Sequence, residues 1–176
     1  MKRLALAFGC ALAGLLLAPA SAQDAALNII NDPGAPQGVG ASGRLRDDPA
    51  VQGGKALRIV VRGKGANPWD VAVQTAITQP VKAGDQLLLA FWARLEKGEG
   101  GAATTTLPYN AVQMSAAPFT ALFTGPVEIG PEWKLHEVRG RADADHAAGT
   151  LNAAIHLATA AQTVELGPIF VVNLGQ

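Results

Sequence analysis

The sequence has 176 residues, with 14 basic and 14 acidic side chains, so its formal net charge is zero. A chain without a positive excess has no electrostatic attraction for polyphosphates, which argues against nucleic-acid binding. Its one cysteine, Cys10, lies in an apolar N-terminal run, so the rest of the chain has no thiol for a disulfide or a metal.

The first 22 residues have the pattern of a secretory signal peptide. Lys2 and Arg3 precede an apolar run over residues 4–18, and Ala20-Ser21-Ala22 supplies a small-residue cleavage site. The run is short for a membrane span and no stop-transfer pattern follows it, so we expect no membrane span. The remaining ~150 residues are enough for one domain, residues 23–176, which we predict to be exported to the periplasm or secreted.

Short alternating segments separated by turn residues follow along the chain. Residues 55–62 alternate in the manner of a strand, and two further strands over residues 69–79 and 86–95 are joined by a Pro- and Gly-containing turn. No segment shows three turns of an amphipathic helix, and this pattern predicts an all-β sandwich or barrel. Further predicted strands cover residues 27–30, 104–107, 111–117, 119–124, 127–129, 133–139, 151–158 and 164–174.

Residues 31–54 contain three prolines and six glycines, a composition that does not favour long regular structure. We therefore predict a long Gly/Pro-rich loop over this segment. A loop of that length is either disordered or a functional cover, and the sequence leaves both alternatives open.

The order of five short motifs resembles the CenC-type carbohydrate-binding modules, which accompany many glycoside hydrolases. The resemblance covers residues 27–174 and implies a galactose-binding-like jelly roll, a β-sandwich of two antiparallel sheets with the ligand on the concave sheet face. The motifs are GGKALRIVVRG (residues 53–63), NPWDV (67–71), VKAGDQLLLAFWAR (81–94), EWKLHEV (132–138) and QTVELGPIFVVNL (162–174).

Several structural roles follow from the resemblance. Gly84 and Asp85 are expected to open a strand, Phe91 to pack between the sheets, and Trp133 to start a later core strand. Members of the family often hold a structural calcium near the two termini through an acidic pair in the closing strand. Here Glu165 is followed by Leu166-Gly167, which departs from the acidic pair of the family. A structural calcium stays an open alternative.

Sugar binding needs aromatic rings for the apolar faces of pyranoses, with amide, carboxylate or guanidinium groups for neighbouring hydroxyls. Strand alternation predicts that Trp92 is exposed on one face, whereas Trp69 has the phase of Val71 and Val73 and is expected to be buried. Tyr109 is predicted to lie in a loop at the rim. The predicted ligand-binding residues are Trp92, Arg94, Gln74, Asp70, Gln113, His156 and Tyr109.

The sequence leaves two other functions open. A glycan-processing enzyme would need a facing carboxylate pair, and none is evident from the pattern. A structural or interaction protein of the envelope would use the same fold without a sugar site, in which case the outward polar residues are solvated positions of an antiparallel sandwich. The three histidines, His136, His146 and His156, do not have a zinc spacing, and the sequence makes no prediction of oligomeric state.

Overall fold

The computed structural model of this chain describes residues 27–40 and 43–176. The predicted signal peptide lies outside these residues. The described part has no α-helix and contains three short 3-10 turns, over Gln52–Gly54, Pro68–Asp70 and Glu99–Gly101. The ten strands are β1 (Gln37–Val39), β2 (Arg44–Asp47), β3 (Lys55–Val61), β4 (Ala72–Ile77), β5 (Gln86–Lys97), β6 (Thr105–Met114), β7 (Ala121–Ile129), β8 (Lys134–Arg141), β9 (Leu151–His156) and β10 (Gln162–Gly175).

The strands form two five-stranded antiparallel sheets. Sheet A has the order β2-β3-β10-β5-β8 and sheet B the order β1-β4-β9-β6-β7. Alternate side chains of each strand point between the sheets, where Phe91, Leu107 and Ile155 are fully buried in one core. The structure thus confirms the predicted all-β sandwich of two antiparallel sheets.

Consecutive strands cross repeatedly from one sheet to the other. The chain runs from β3 in sheet A to β4 in sheet B, returns to sheet A with β5, and crosses again with β6. Inside sheet B β4 pairs with β1 and β9, whereas inside sheet A β5 pairs with β8 and β10. The outer faces of β4 and β5, which follow one another in the sequence, therefore lie on opposite sides of the molecule.

The segment predicted as a long loop contains two short edge strands. Within residues 31–54, β1 lies at the edge of sheet B and β2 at the edge of sheet A. The start of the segment is held by the Asn31 side chain, whose amide donates to the Ile169 carbonyl at 2.8 Å and whose oxygen accepts from the Val171 N–H at 2.7 Å.

The turn before β5 has the structure that its Gly-Asp pair implies. Gly84 has φ of 92°, a left-handed conformation that glycine adopts without a Cβ clash. The Asp85 carboxylate accepts from the Lys82 N–H at 2.9 Å and from the Asn173 amide at 2.6 Å, which fixes the entry to β5. Phe91 is in the core as expected, but Trp133 is half-buried on the outer side of sheet A just before the edge strand β8.

Several predicted strand boundaries were wrong, and two of the errors concern aromatic residues. Trp69 belongs to the 3-10 turn over Pro68–Asp70 rather than to a strand, so strand phase does not describe its orientation, and it is 56% exposed instead of buried. Tyr109 is not in a loop but in the middle of β6, which runs continuously through the Pro-Tyr-Asn segment.

Candidate functional site

The outer face of sheet B is built from three rows of side chains that run across the strands. The register pairs Gln37 with Gln74, Gln74 with Ala154, Ala154 with Ala111 and Ala111 with Thr124, which forms a central row. On β9 and β6 the row consists of Ala154 and Ala111, so at these two strands it is lower than the rows on either side. We call the three rows the recessed face.

On β9 and β6 the flanking rows carry larger side chains than the central row. On one side Ala72 pairs with His156, and Tyr109 occupies the next position along β6 beside His156. On the other side Ala76 and Gln113 both pair with Asn152. The floor of alanines therefore lies between an aromatic row and an amide row.

Three polar side chains of the recessed face are more than nine-tenths buried. Their exposed fractions are 6% for Gln113, 7% for Asn152 and 8% for His156. The described residues form only two layers of strands, so no third layer covers this face. The low exposure comes from neighbouring side chains and indicates a concave surface.

These buried groups keep unused hydrogen-bonding capacity. The Asn152 amide donates to the Gln74 oxygen at 3.2 Å, but its own Oδ1 has no partner among the described residues. The buried Nδ1 of His156 is also unpartnered there. Leaving a buried polar group unsatisfied costs about 1–3 kcal/mol, and such groups in a folded protein call for an explanation.

Two half-exposed aromatic rings stand beside His156. The ring centroid of Trp69 lies 6.2 Å from that of His156 in an edge-on arrangement, and the Tyr109 centroid lies 6.4 Å away. Trp69 is 56% and Tyr109 47% exposed, so both present apolar faces to solvent. We call Trp69, His156 and Tyr109 the aromatic wall.

The local sequence explains how Trp69 is held. Pro68 suits the first position of the 3-10 turn, and Asn67 and Asp70 form a reciprocal capping box around it. The Asp70 carboxylate accepts from the Asn67 N–H at 2.9 Å. The turn is tied to the strand that carries His156 because the Ala158 N–H donates to the Pro68 carbonyl at 3.0 Å. Asp70 thus lies at the rim of the site and orients Trp69.

A bulge in β6 places Tyr109. The register shifts between Leu107 and Asn110, where Pro108 lacks the N–H that a regular ladder needs. The fully buried Asn110 amide donates to the carbonyls of Leu107 and Gly125, each at 2.9 Å, and so replaces the missing ladder bonds. Tyr109 follows the bulge and lies on the outer face.

Burial lowers the pKa of His156 below its ordinary value, which favours the neutral imidazole near pH 7. A neutral imidazole has one donor and one acceptor nitrogen. The recessed face therefore offers hydrogen-bonding groups without formal charge.

Trp92 and Arg94 are not part of this arrangement. Both lie on β5, on the outer face of sheet A, so the prediction that they share a face with Gln74 was wrong. The Trp92 indole N–H donates to the Gln52 side chain at 2.9 Å. The guanidinium of Arg94 lies 4.9 Å from the centre of the Trp133 ring.

Arg94 is instead one member of a cluster of four charged side chains. Glu165, with no exposed side chain, is bound by Arg94 at 2.5 Å and by Arg46 at 2.6 Å. Asp48 is bound by the same two guanidinium groups at 3.0 and 3.2 Å and accepts from the Trp133 indole at 3.3 Å. We call Arg46, Asp48, Arg94 and Glu165 the ionic cluster; within sheet A it ties the edge strand β2 and the following turn to β5 and β10.

The structure thus brings four of the seven predicted residues together, namely Gln74, Gln113, His156 and Tyr109. It adds Trp69, which the sequence interpretation assigned to the core, and Asn152, whose outward phase alongside His156 was visible in the sequence. The Pro-Trp-Asp order after Asn67 was the signal for a capped turn that could have placed Trp69 outside the core.

No group of three or more His, Cys, Asp or Glu side chains that could hold a metal ion occurs in residues 27–40 and 43–176. Within the same ranges, no helix is long and apolar enough to cross a membrane.

No protein-family model and no curated protein matches the sequence. The fold does match solved structures. A cellulose-binding domain of Cellulomonas fimi β-1,4-glucanase C aligns with a TM-score of 0.62 and 15% identity over 86% of this chain and 97% of that domain. A xylan-binding domain of family 22 aligns with a TM-score of 0.60 and 17% identity over 86% and 98% of the two chains.

A third match is a two-module structure from Clostridium thermocellum xylanase 10B, determined with xylohexaose. It aligns with a TM-score of 0.58 and 10% identity over 84% of this chain and 29% of that one. These matches confirm the jelly-roll fold that the sequence resemblance implied.

Proposed function

We propose that this protein is a non-catalytic carbohydrate-binding module that holds an oligo- or polysaccharide chain on the recessed face. The observation that carries the proposal is the set of nine-tenths-buried polar groups of His156, Asn152 and Gln113, left with unused hydrogen-bonding capacity beside exposed aromatic rings. Sugar hydroxyls would satisfy the polar groups, and the apolar face of a pyranose would stack on Trp69 or Tyr109. The fold, shared with cellulose- and xylan-binding domains, supports the same proposal.

The dimensions of the face suit a chain rather than a single sugar. The central row crosses five strands, and four inter-strand spacings span about 19 Å. Both ends reach edge strands, at Gln37 on β1 and Thr124 on β7, so neither end is closed by a further strand of the described chain. A chain could therefore extend beyond the face in both directions.

The residue types favour binding over catalysis. Glycoside hydrolysis commonly uses two carboxyl groups on either side of the scissile bond. Among the described residues, none that the register places in the three rows is Asp or Glu. Asp70 lies at the rim, and its carboxylate is engaged by Asn67. We also propose that the protein is exported, because such polysaccharides occur outside the cell.

Affinity electrophoresis of residues 23–176 through gels that contain neutral soluble polysaccharides tests the proposal. Trp69→Ala and Tyr109→Ala should each weaken retention about tenfold, because an aromatic stacking contact contributes up to about 1.5 kcal/mol. Both variants should keep melting temperatures within a few degrees of wild type, since each ring is about half exposed. Phe119→Ala is a matched control, because Phe119 is 52% exposed in the β6–β7 hairpin and outside the aromatic wall.

A wild-type protein that no neutral polysaccharide retards would overturn the proposal. Equal losses of retention in Phe119→Ala and Trp69→Ala would contradict the assignment of the aromatic wall.

Gln113→Leu gives a second test that separates binding from folding. Gln113 is 6% exposed, and the Asn152 amide beside it donates to Gln74 rather than to Gln113. Replacing it with an apolar side chain of similar size should leave the melting temperature nearly unchanged, because no hydrogen bond within the described chain is lost. Retention should fall about fivefold with the loss of a hydrogen bond to the sugar. A lower melting temperature with full retention would show that Gln113 serves the fold instead.

A further inference from the structure

A pocket opens directly beyond the aromatic wall, at the end of the sandwich. It has a volume of about 360 Å³ and is lined by Lys64, Pro68, Pro108, Tyr109, Ala158 and Thr159, among others. Tyr109 belongs both to this pocket and to the aromatic wall, and Pro68 directly precedes Trp69. A sugar ring stacked at the wall would therefore have the pocket beside it.

Among the described residues, Lys64 is the one charged side chain that lines this pocket. It is exposed, and no carboxylate of the described residues lies within ion-pair distance of it. Its loop is fixed at the pocket because the N–H of the next residue, Gly65, donates to the Ala158 carbonyl at 2.9 Å. The Asp70 carboxylate lies beside Gly65 and accepts from the Asn67 backbone N–H and side-chain amide; it keeps its negative charge but is not within ion-pair distance of Lys64. The pocket thus presents a cation that its own described surroundings leave unpaired.

We propose that this pocket receives an acidic substituent of the glycan, such as the carboxylate of a uronic acid branch, and that Lys64 pairs with it. The inference rests on the carbohydrate-binding function proposed above. The recessed face has only uncharged hydrogen-bonding groups and suits the neutral backbone of the chain, whereas the pocket supplies a positive charge to one side. The prolines and Ala158 provide an apolar surface for the C–H face of a branching sugar.

The preference for an acidic branch would be a local effect. Residues 23–176 contain 12 basic and 14 acidic side chains, so the net charge of the predicted mature chain repels a polyanion weakly. A stronger interaction with an acidic glycan must then come from a particular site. Because Lys64 is exposed, a single ion pair there should change affinity only about two- to fivefold, and salt should screen it.

The test compares two pairs of soluble polymers in affinity gels at low salt, each pair consisting of a neutral and a carboxylated member. The pairs are hydroxyethylcellulose with carboxymethylcellulose and arabinoxylan with glucuronoxylan. Wild type should bind the carboxylated member of at least one pair about two- to fivefold more tightly, and about 1 M salt should remove the difference. Lys64→Gln should abolish the preference and Lys64→Glu should reverse it, with binding of the neutral member unchanged. Lys97→Glu is the matched control, because Lys97 is an exposed cation on β5 in the other sheet.

Equal binding of neutral and carboxylated members by wild type would overturn the role of Lys64 and leave the proposed function standing. An equal loss of preference in Lys97→Glu would show a general charge effect and would also overturn it. Retention of none of the four polymers would overturn both proposals.

Discussion

The outer faces of the two sheets both carry aromatic and polar side chains, but they use them in opposite ways. On sheet A buried charged groups face opposite charges, as in the salt bridges of Glu165 with Arg94 and Arg46, although Arg46 Nε and Glu165 Oε1 make no well-oriented hydrogen bond. On sheet B the recessed face leaves Asn152 and His156 with buried polar atoms that have no partner in the described chain. A cluster of paired opposite charges stabilises the fold, whereas uncharged polar groups without such partners, beside exposed aromatics, are what a ligand site requires.

The tryptophans differ in the same way. Trp92 donates its indole N–H to Gln52 and lies against the chain near Gly167, where an added Cβ would be 2.9 Å from the Cβ of Trp92. Trp69 makes its aromatic contact with His156 and leaves more than half of its surface to solvent. Exposure separates the two tryptophans, and their hydrogen bonds and neighbours explain the difference.

Breaking the ionic cluster should give the largest loss of stability. Arg94→Met removes one of the two guanidinium groups that bind Glu165, and the loss of one partner from a buried ion pair costs about 3–5 kcal/mol. We expect about 2–3 kcal/mol, because Arg46 still pairs with Glu165. Chemical denaturation would measure the change, and polysaccharide retention of the folded protein should be unaltered. A variant with native stability would show that the cluster contributes little.

Trp92→Ala should have the next largest effect on folding. The substitution removes the bond to Gln52 and part of the packing under the turn before β3, with a loss of about 1–3 kcal/mol because the ring is only half-buried. Retention in affinity gels should stay at the wild-type level, in contrast to Trp69→Ala. Loss of retention at unchanged stability would place the sugar site on sheet A instead.

The pH dependence of stability should report on His156. Its folded-state pKa lies below the ordinary value of about 6.5, so the unfolded chain binds the proton more readily. Its contribution is fully present above about pH 6.5 and is lost as the pH falls toward the folded-state value. Burial, together with the nearby charge of Lys134, also lowers the pKa of His136. Both histidines therefore make the protein less stable as the pH falls.

Melting temperatures of wild type and His156→Gln between pH 8 and pH 5 would isolate the share of His156. The melting temperature of His156→Gln should fall less than that of wild type on acidification. His136→Gln is the matched control, because it measures the part of the fall that comes from His136. A variant whose decline equals that of wild type would contradict a buried neutral His156.

The smallest effect is expected from the ion pair between Arg58 and Glu96. Both side chains are more than one-third exposed, with relative side-chain exposures of 35% and 38%. Exposed pairs contribute about 0.2–1 kcal/mol, so Arg58→Met should change stability by less than about 1 kcal/mol. Chemical denaturation of Arg58→Met and Arg94→Met under the same conditions would compare the stability contributions of an exposed and a buried ion pair on the same face of sheet A. A loss as large as that of Arg94→Met would show that burial is not what distinguishes them.

The sequence by itself determined the strand content, the two-sheet fold class and the outward phase of individual residues. Alternation is a local property, so it is sufficient to assign Gln74, Gln113 and His156 to an outer face. The turn at Gly84-Asp85 and the burial of Phe91 followed in the same way, because local backbone geometry and the family resemblance agree there.

Only the tertiary structure decided which outer face each strand contributes to. Strands adjacent in the sequence cross between the sheets, so Trp92 and Gln74 are outward on opposite sides, and alternation holds no information about that choice. Strand phase also failed for Trp69, because it applies only inside a strand and Trp69 lies in a capped turn just before one. The site exists because long-range pairing brings β4, β9 and β6 side by side and sets the Trp69 turn against the end of β9.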